Sequence, residues 1–240
     1  MKAIITFHSI DDSGSVLSFP EKRFARLIGA LQRSNLPVLD LGTLLRTDTE
    51  RGVALTFDDG MRSLFTAALP ILKDFTVPAH LYLTTGAVAK TNRWATQPED
   101  APDFNMLNWD EIEQLHDSGV IIDAHTHQHP DMRKLTRNEM EDECEMADEL
   151  IENKLGRRPQ YFAYPYGYKD DHVCDFARSR YKATVTTELR MLGSNEDSAN
   201  LPRLDSYYLK GDWLQDNLSN PMSKAYLALR SVMRSLRGTQ

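Results

Sequence analysis

Seven short apolar runs, separated by stretches that carry helix caps, constrain this chain more than any other feature. The runs are AIITF (3–7), PVLDL (37–41), VALTF (53–57), AHLYL (79–83), VIIDA (120–124), YFAYP (161–165) and KATVT (182–186). Helices are expected near 20–34, 61–73, 108–118, 136–156 and 170–180. Their ends are marked: Thr136 and Glu139 make a capping box, Pro20 opens a helix, and Gly119 and Gly156 close two others. Strands that are apolar throughout must be covered on both faces. A strand-helix-strand order does this with crossover helices, so the sheet should be parallel. The expected fold class is α/β, a closed or nearly closed (β/α) barrel of about seven parallel strands. A doubly wound open sheet fits less well, because the glycine-rich phosphate loop of dinucleotide-binding folds is absent.

With 240 residues, 41% hydrophobic and 26% charged, the chain suits one large domain. That domain is placed at residues 1–216, with 217–240 as a basic helical tail. The net charge of -7 argues against a nucleic-acid partner, which needs a basic face to displace counterions, and favours a glycan or small molecule. Cys144 lies in the acidic stretch EMEDECEMADEL, where a thiolate is disfavoured, and neither it nor Cys174 reads as a nucleophile or a disulfide framework. The opening MKAIITFHSI runs straight into a strand, and no run is long enough to span a bilayer. Cytoplasmic residence is therefore expected.

In barrels of parallel strands, reactive groups gather at the C-terminal ends of the strands. Here His8 follows AIITF, Asp58 and Asp59 follow VALTF, His125, His127 and His129 follow VIIDA, and the turn YPYG (164–167) follows the YFA strand. His125 and His129, four residues apart in one loop, can converge on one ion. With a carboxylate they form the two-imidazole, one-oxygen set of a catalytic metal site that keeps a position for water. The adjacent acids then have separate tasks, one binding the cation and the other standing free as a base beside a water whose pKa the metal lowers toward about 7.

In this order and spacing, TFDDG, HTHQH and FAYPYG resemble the leading motifs of the polysaccharide deacetylase family, also known as NodB-homology or carbohydrate esterase family 4 enzymes. The resemblance covers about residues 1–205. It implies a distorted (β/α) barrel that removes acetyl groups from N-acetylated sugars with one divalent ion, Zn²⁺ first, with Co²⁺, Ni²⁺ or Mn²⁺ as alternatives. By the same resemblance Asp58 is the general base, and Asp59, His125 and His129 are the metal ligands. The backbone N–H of Tyr166 stabilises the oxyanion. Tyr164 and Pro165 line the substrate site, although both tyrosine rings could equally be rim packing.

This chain also departs from the family pattern. Ala163 stands where many members carry an arginine that orients the base, and Arg203 in NLPRLDS is the expected replacement. There is no histidine after His172 to act as a C-terminal general acid. TFHSI resembles the opening of the poly-N-acetylglucosamine deacetylase branch, which makes His8 the expected acid, with His80 a weaker candidate that a packed core position would explain as well. Trp213 in KGDWL partly resembles an aromatic residue of the family's acetyl pocket. In the tail, Lys224, Arg230, Arg234 and Arg237 appear without an acid, and Met222, Ala225, Leu229, Val232 and Leu236 fall at helical spacing. Such a helix can dock on the barrel or another subunit, or contact an anionic membrane surface. The expected function is metal-dependent N-deacetylation of a glycan or of its lipid- or nucleotide-linked precursor. Deformylation, cyclic-amide hydrolysis and a non-catalytic carbohydrate-binding role are the alternatives.

Overall fold

The structure is a computed structural model that describes residues 1–97 and 101–236. Among the described residues, nine strands and eight α-helices follow one another. The strands are β1 (Lys2–Phe7), β2 (Ser9–Ile10), β3 (Ser18–Phe19), β4 (Gly52–Asp59), β5 (Ala79–Leu83), β6 (Val120–Ala124), β7 (Tyr161–Ala163), β8 (Ala183–Val185) and β9 (Leu204–Asp205). The helices are α1 (Glu21–Arg33), α2 (Leu41–Leu45), α3 (Leu69–Phe75), α4 (Trp109–Asp117), α5 (Arg137–Leu155), α6 (Asp171–Arg180), α7 (Asp212–Asp216) and α8 (Pro221–Leu236).

Seven strands form one parallel sheet in the order β8-β7-β6-β5-β4-β1-β9, curled into a distorted barrel. Residues 198–205 run between its two ends. The Thr184 N–H donates to the Ser198 carbonyl, the Thr186 N–H to Leu201, and the Arg203 N–H to Glu188, before Leu204 pairs with Ile5 of β1. β2 and β3 pair separately as a short ribbon beside β1.

Period two sorts the side chains of the barrel strands. Ala3, Ile5 and Phe7 of β1 and Val53, Leu55 and Phe57 of β4 point outward, where they pack with Phe24, Leu27 and Ile28 of α1. Ile4, Ala54 and Tyr82 point inward, with Ala163, Val185 and Leu201. The capping box at Thr136 and Glu139 is present with both of its hydrogen bonds, and Asn108 with Glu111 makes a second at the start of α4.

Two expectations need correction. Residues 37–41 make no strand: Val38 forms a single bridge to Val53, and Asp40 then caps α2 by accepting the Thr43 N–H. The seventh strand is instead β9, on the other side of β1. The helix expected over 61–73 begins as a wide turn, Leu64–Ala68, before α3. Pro70 explains this, since its ring clashes with the carbonyl four residues back and its nitrogen has no proton to donate.

Of the alternatives for the tail, the structure shows docking on the barrel. α8 is docked on the barrel through buried Ser223 and Leu227, and Leu227 shares the main core with Leu214 and Leu218. Arg230 lies over the rings of Tyr208 and Tyr226, and Arg234 approaches Asp205 at 3.8 Å. Two of the basic side chains thus face the protein, whereas Met222, Leu229, Val232 and Leu236 are exposed. Arg237 lies outside the described residues. Among the described residues no helix is long and apolar enough to cross a membrane.

Candidate active site

Strand parity brings His8, Asp58 and His125 to the inner rim of the barrel, each an even number of residues beyond an inward residue of its strand: Ile4, Ala54 and Asp123. Asp58 ends the inward row of β4, and its carboxylate is gripped by Arg203 through two parallel bonds, Nη1 to Oδ1 and Nη2 to Oδ2, each 2.7 Å. Arg203 is 1% exposed, and its Nε donates to the Thr186 carbonyl at 2.9 Å. Burial alone would push the Asp58 carboxyl up. The Arg203 guanidinium outweighs it, with His125 and His8 adding to the pull, and holds the group below the usual carboxylate range.

Asp59 has outward parity, yet it reaches the same site. Its φ of 72° and the φ of 102° at Gly60 turn the chain sharply at the strand end. Asp tolerates this left-handed region better than most residues and glycine tolerates it freely, which is why a double acid is followed by Gly60. Asp59 Oδ1 lies 3.4 Å from His125 Nε2 and 3.5 Å from His129 Nε2, and the two Nε2 atoms are 3.2 Å apart. Thr126 and His129 also have positive φ, and Thr126 Oγ1 accepts the His129 N–H to hold the loop. With Tyr166, four of the seven non-glycine residues with positive φ among the described residues belong to this site. Backbone strain of this kind persists where the surroundings enforce it, and it concentrates at functional sites.

These three residues fit a divalent cation. Their ligating atoms lie within 4.8 Å of one another. His125 Nδ1 donates to the Ala163 carbonyl at 2.7 Å, which leaves the lone pair on Nε2, the atom facing Asp59 and His129. Burial drives the His129 imidazole down to about 3, so it stays neutral and able to ligate. Burial opposes ionisation of Asp59, but His125, His8 and His129 hold its carboxyl well below its ordinary value. Two imidazole nitrogens and one carboxylate oxygen are the donor set of a catalytic metal with room for further ligands.

Beside the triad is a cavity of about 100 Å³, lined by His8, Asp58, Asp59, Tyr166 and Trp94 among others. The Tyr166 backbone N–H makes no hydrogen bond among the described residues. Its side-chain hydroxyl accepts from Trp94 Nε1 at 2.9 Å and is 2.7 Å from Thr96 Oγ1, which in turn donates to the His129 carbonyl. The Trp94 ring lies 4.3 Å from that of His129. The loop carrying Trp94 and Thr96 is thereby fastened over one side of the site.

Other candidates stand apart from this constellation. Tyr164 borders the cavity, but it is buried and its hydroxyl donates to the Ala199 carbonyl at 2.9 Å, so it braces the floor. Pro165 is buried at the start of the turn that sets Tyr166. Trp213 is 50% exposed on α7 and does not border the cavity; α7 packs on α1, with Arg26 paired to Asp216 at 2.6 Å. A short peptide match carried no information about which face of the barrel that helix covers. His127 turns away, its Nδ1 2.9 Å from Thr85 Oγ1.

His80 is a core residue. Its Nε2 accepts the Leu41 N–H at 2.9 Å, so Nδ1 carries the proton and donates to Asp123 Oδ2, also at 2.9 Å. Cys144 and Cys174 are buried, and burial pushes the Cys144 thiol up to about 12. Trp94 and Thr96, and Thr187, which also lines the cavity, were missed by sequence reasoning. The loop holding Trp94 and Thr96 has neither helical nor strand periodicity to mark it.

A family model described as "Polysaccharide deacetylase" matches residues 46–183. The Bacillus subtilis protein YxkH, named for the same family, is 24% identical over 192 residues, 77% of this chain and 64% of its own length. A poly-beta-1,6-N-acetyl-D-glucosamine N-deacetylase of Staphylococcus aureus is 25% identical over 168 residues, 65% of this chain and 54% of its own length. This chain therefore spans less than two thirds of either relative. Among solved structures, IcaB from Ammonifex degensii superposes with a TM-score of 0.72 at 19% identity, over 90% of this chain and 97% of that one. The Streptococcus pyogenes deacetylase PplD in complex with acetate also gives 0.72, at 22% identity over 85% of this chain and 91% of that one. At these identities the two structures establish the shared fold.

Proposed function

The chain belongs to the polysaccharide deacetylase family, and from that premise we propose that it hydrolyses the N-acetyl group of an amino sugar within a glycan, with a divalent ion held by Asp59, His125 and His129. The observation that carries this reading is the pairing of a free, arginine-braced carboxylate with a metal-ligand triad on one rim. Poly-N-acetylglucosamine is the substrate class suggested by the name of the Staphylococcus relative.

A bound ion would polarise the amide carbonyl and acidify the attacking water. Asp58 takes a proton from that water as its oxygen adds to the acetyl carbon. Arg203 keeps the carboxylate ionised and fixed in direction, while each Asp58 oxygen retains a lone pair for the proton. The Tyr166 N–H donates to the oxygen that becomes negative, a contribution of roughly 3–4 kcal/mol when preorganised. His8, across the same cavity, protonates the sugar nitrogen as the C–N bond breaks, so that acetate and a free amino sugar leave. The membrane contact expected of the tail rests on the exposed apolar side chains of α8; failure of the protein to float with anionic vesicles would remove it.

The decisive experiment incubates metal-loaded protein with N-acetylglucosamine oligomers and measures acetate and free amine together. No acetate release from fully loaded protein would sink the proposal.

A further inference from the structure

Both imidazoles of the triad come from one loop, but their rings are held in different ways. His125 donates its Nδ1 proton to the Ala163 carbonyl at 2.7 Å, the outer hydrogen bond that a metal-ligating histidine ordinarily makes. His129 has no such bond. Its Nδ1 is buried and finds no hydrogen-bond partner among the described residues, so the ring is placed by packing against Trp94 and Tyr166 and by its own backbone. That backbone is left-handed, with φ of 56° at His129 and 63° at Thr126, a conformation that residues other than glycine keep only where the surroundings enforce it. What holds the loop therefore decides where the second imidazole stands.

The strongest hold comes from a helix outside the site. Glu143, in the second turn of α5, accepts the His127 N–H at 3.0 Å and the Gln128 N–H at 2.7 Å through one oxygen, Oε2. These are the two peptide groups midway between the ligands, and a carboxylate makes shorter and stronger bonds to them than a neutral acceptor would. The His127 carbonyl is held as well, by the Gly86 N–H at 2.8 Å in the turn that follows β5. A Cβ on Gly86 would stand 2.5 Å from that carbonyl oxygen, so the turn and the loop meet without space for a side chain. Resting on the metal-site reading above, we propose that Glu143 is a positioning residue for the metal centre: by tying the middle of the loop to α5 it sets His129 Nε2 against Asp59 and His125. The loop is then ordered before an ion arrives, and binding does not have to offset that ordering.

The test titrates metal-free protein with Zn²⁺ and separately with Co²⁺, whose visible absorption reports the geometry of its ligands. Glu143→Ala should raise Kd by about ten- to a hundredfold, the range for losing an outer partner of a metal ligand, and should alter the Co²⁺ spectrum. Glu143→Gln keeps an acceptor oxygen at the same reach and should recover most of the affinity. A merely structural role would lower the unfolding midpoint of the metal-free protein and leave the Kd of the folded variant at the wild-type value; that result overturns the proposal. If the alanine variant fails to fold, Glu143→Asp, one methylene shorter with the same charge, takes its place and is judged by the same Kd. Because the probe is the metal alone, the substrate reading is tested apart: weakened binding in the variant supports Glu143 even if no N-acetyl sugar is turned over. No binding of either ion to the wild-type protein removes the metal centre, and the positioning role with it.

Discussion

Asp58 and Arg203 show what one buried ion pair demands. Both side chains are withdrawn from water, and the pair is tolerated because the guanidinium meets the carboxylate through two bonds and has Thr186 for a third. Arg203→Ala should lower unfolding stability in urea by about 3–5 kcal/mol, because it leaves a carboxylate buried without its partner. Adding Asp58→Asn should recover much of that loss, and a double variant no more stable than the single one would show that the pair is not the cause. His8→Ala, in contrast, should keep the fold and bound metal while slowing turnover by roughly two to four orders of magnitude. A substrate with a much better leaving group should regain part of that rate. A near-normal rate in His8→Ala would mean that the acid lies elsewhere, and His80, enclosed in the core, is no longer available for the task.

At the level of elements, His80 explains how pieces distant in sequence are held in register. It bonds the first residue of α2 and Asp123 of β6, whose other oxygen accepts the Gln160 and Tyr161 N–H groups at the start of β7. One imidazole and one carboxylate thus tie four elements below the site. His80→Ala should destabilise the fold by about 2–4 kcal/mol, since an N–H and a carboxylate lose their buried partner, yet leave metal occupancy and turnover close to wild type at permissive temperature. Loss of turnover in a variant that is still folded would contradict this division of labour. Thr136→Ala should cost about 1 kcal/mol through the lost cap of α5, measurable as a shifted denaturation midpoint without a change in slope.

Across the whole molecule, a cation at the rim would join the end of β4 to the loop that follows β6, and so favour the folded chain by mass action. A free ion concentration 100-fold above Kd corresponds to about 2.7 kcal/mol, or roughly 5–10 °C in Tm for a chain of this size. Asp59→Ala should lose both the bound ion and the shift; undiminished metal content in that variant would falsify the ligand assignment. The sequence by itself determined the parallel α/β barrel, because fully apolar strands alternating with capped helices have few other ways to be covered, and it carried the short-range motifs TFDDG, HTHQH and FAYPYG, whose residues are neighbours in any fold that keeps the strand ends together. Arg203 was legible as a candidate, but its grip on Asp58 spans 145 residues and exists only because residues 198–205 run between the ends of the sheet and turn it inward. β9, two residues long, has no period to read and becomes a strand only because Ile5 and Thr6 offer it partners. The same holds for Trp94 over His129 and for the exposure of Trp213: local patterning fixes which residues share a strand face, whereas contacts between distant segments depend on how the sheet curls and which helix covers which side.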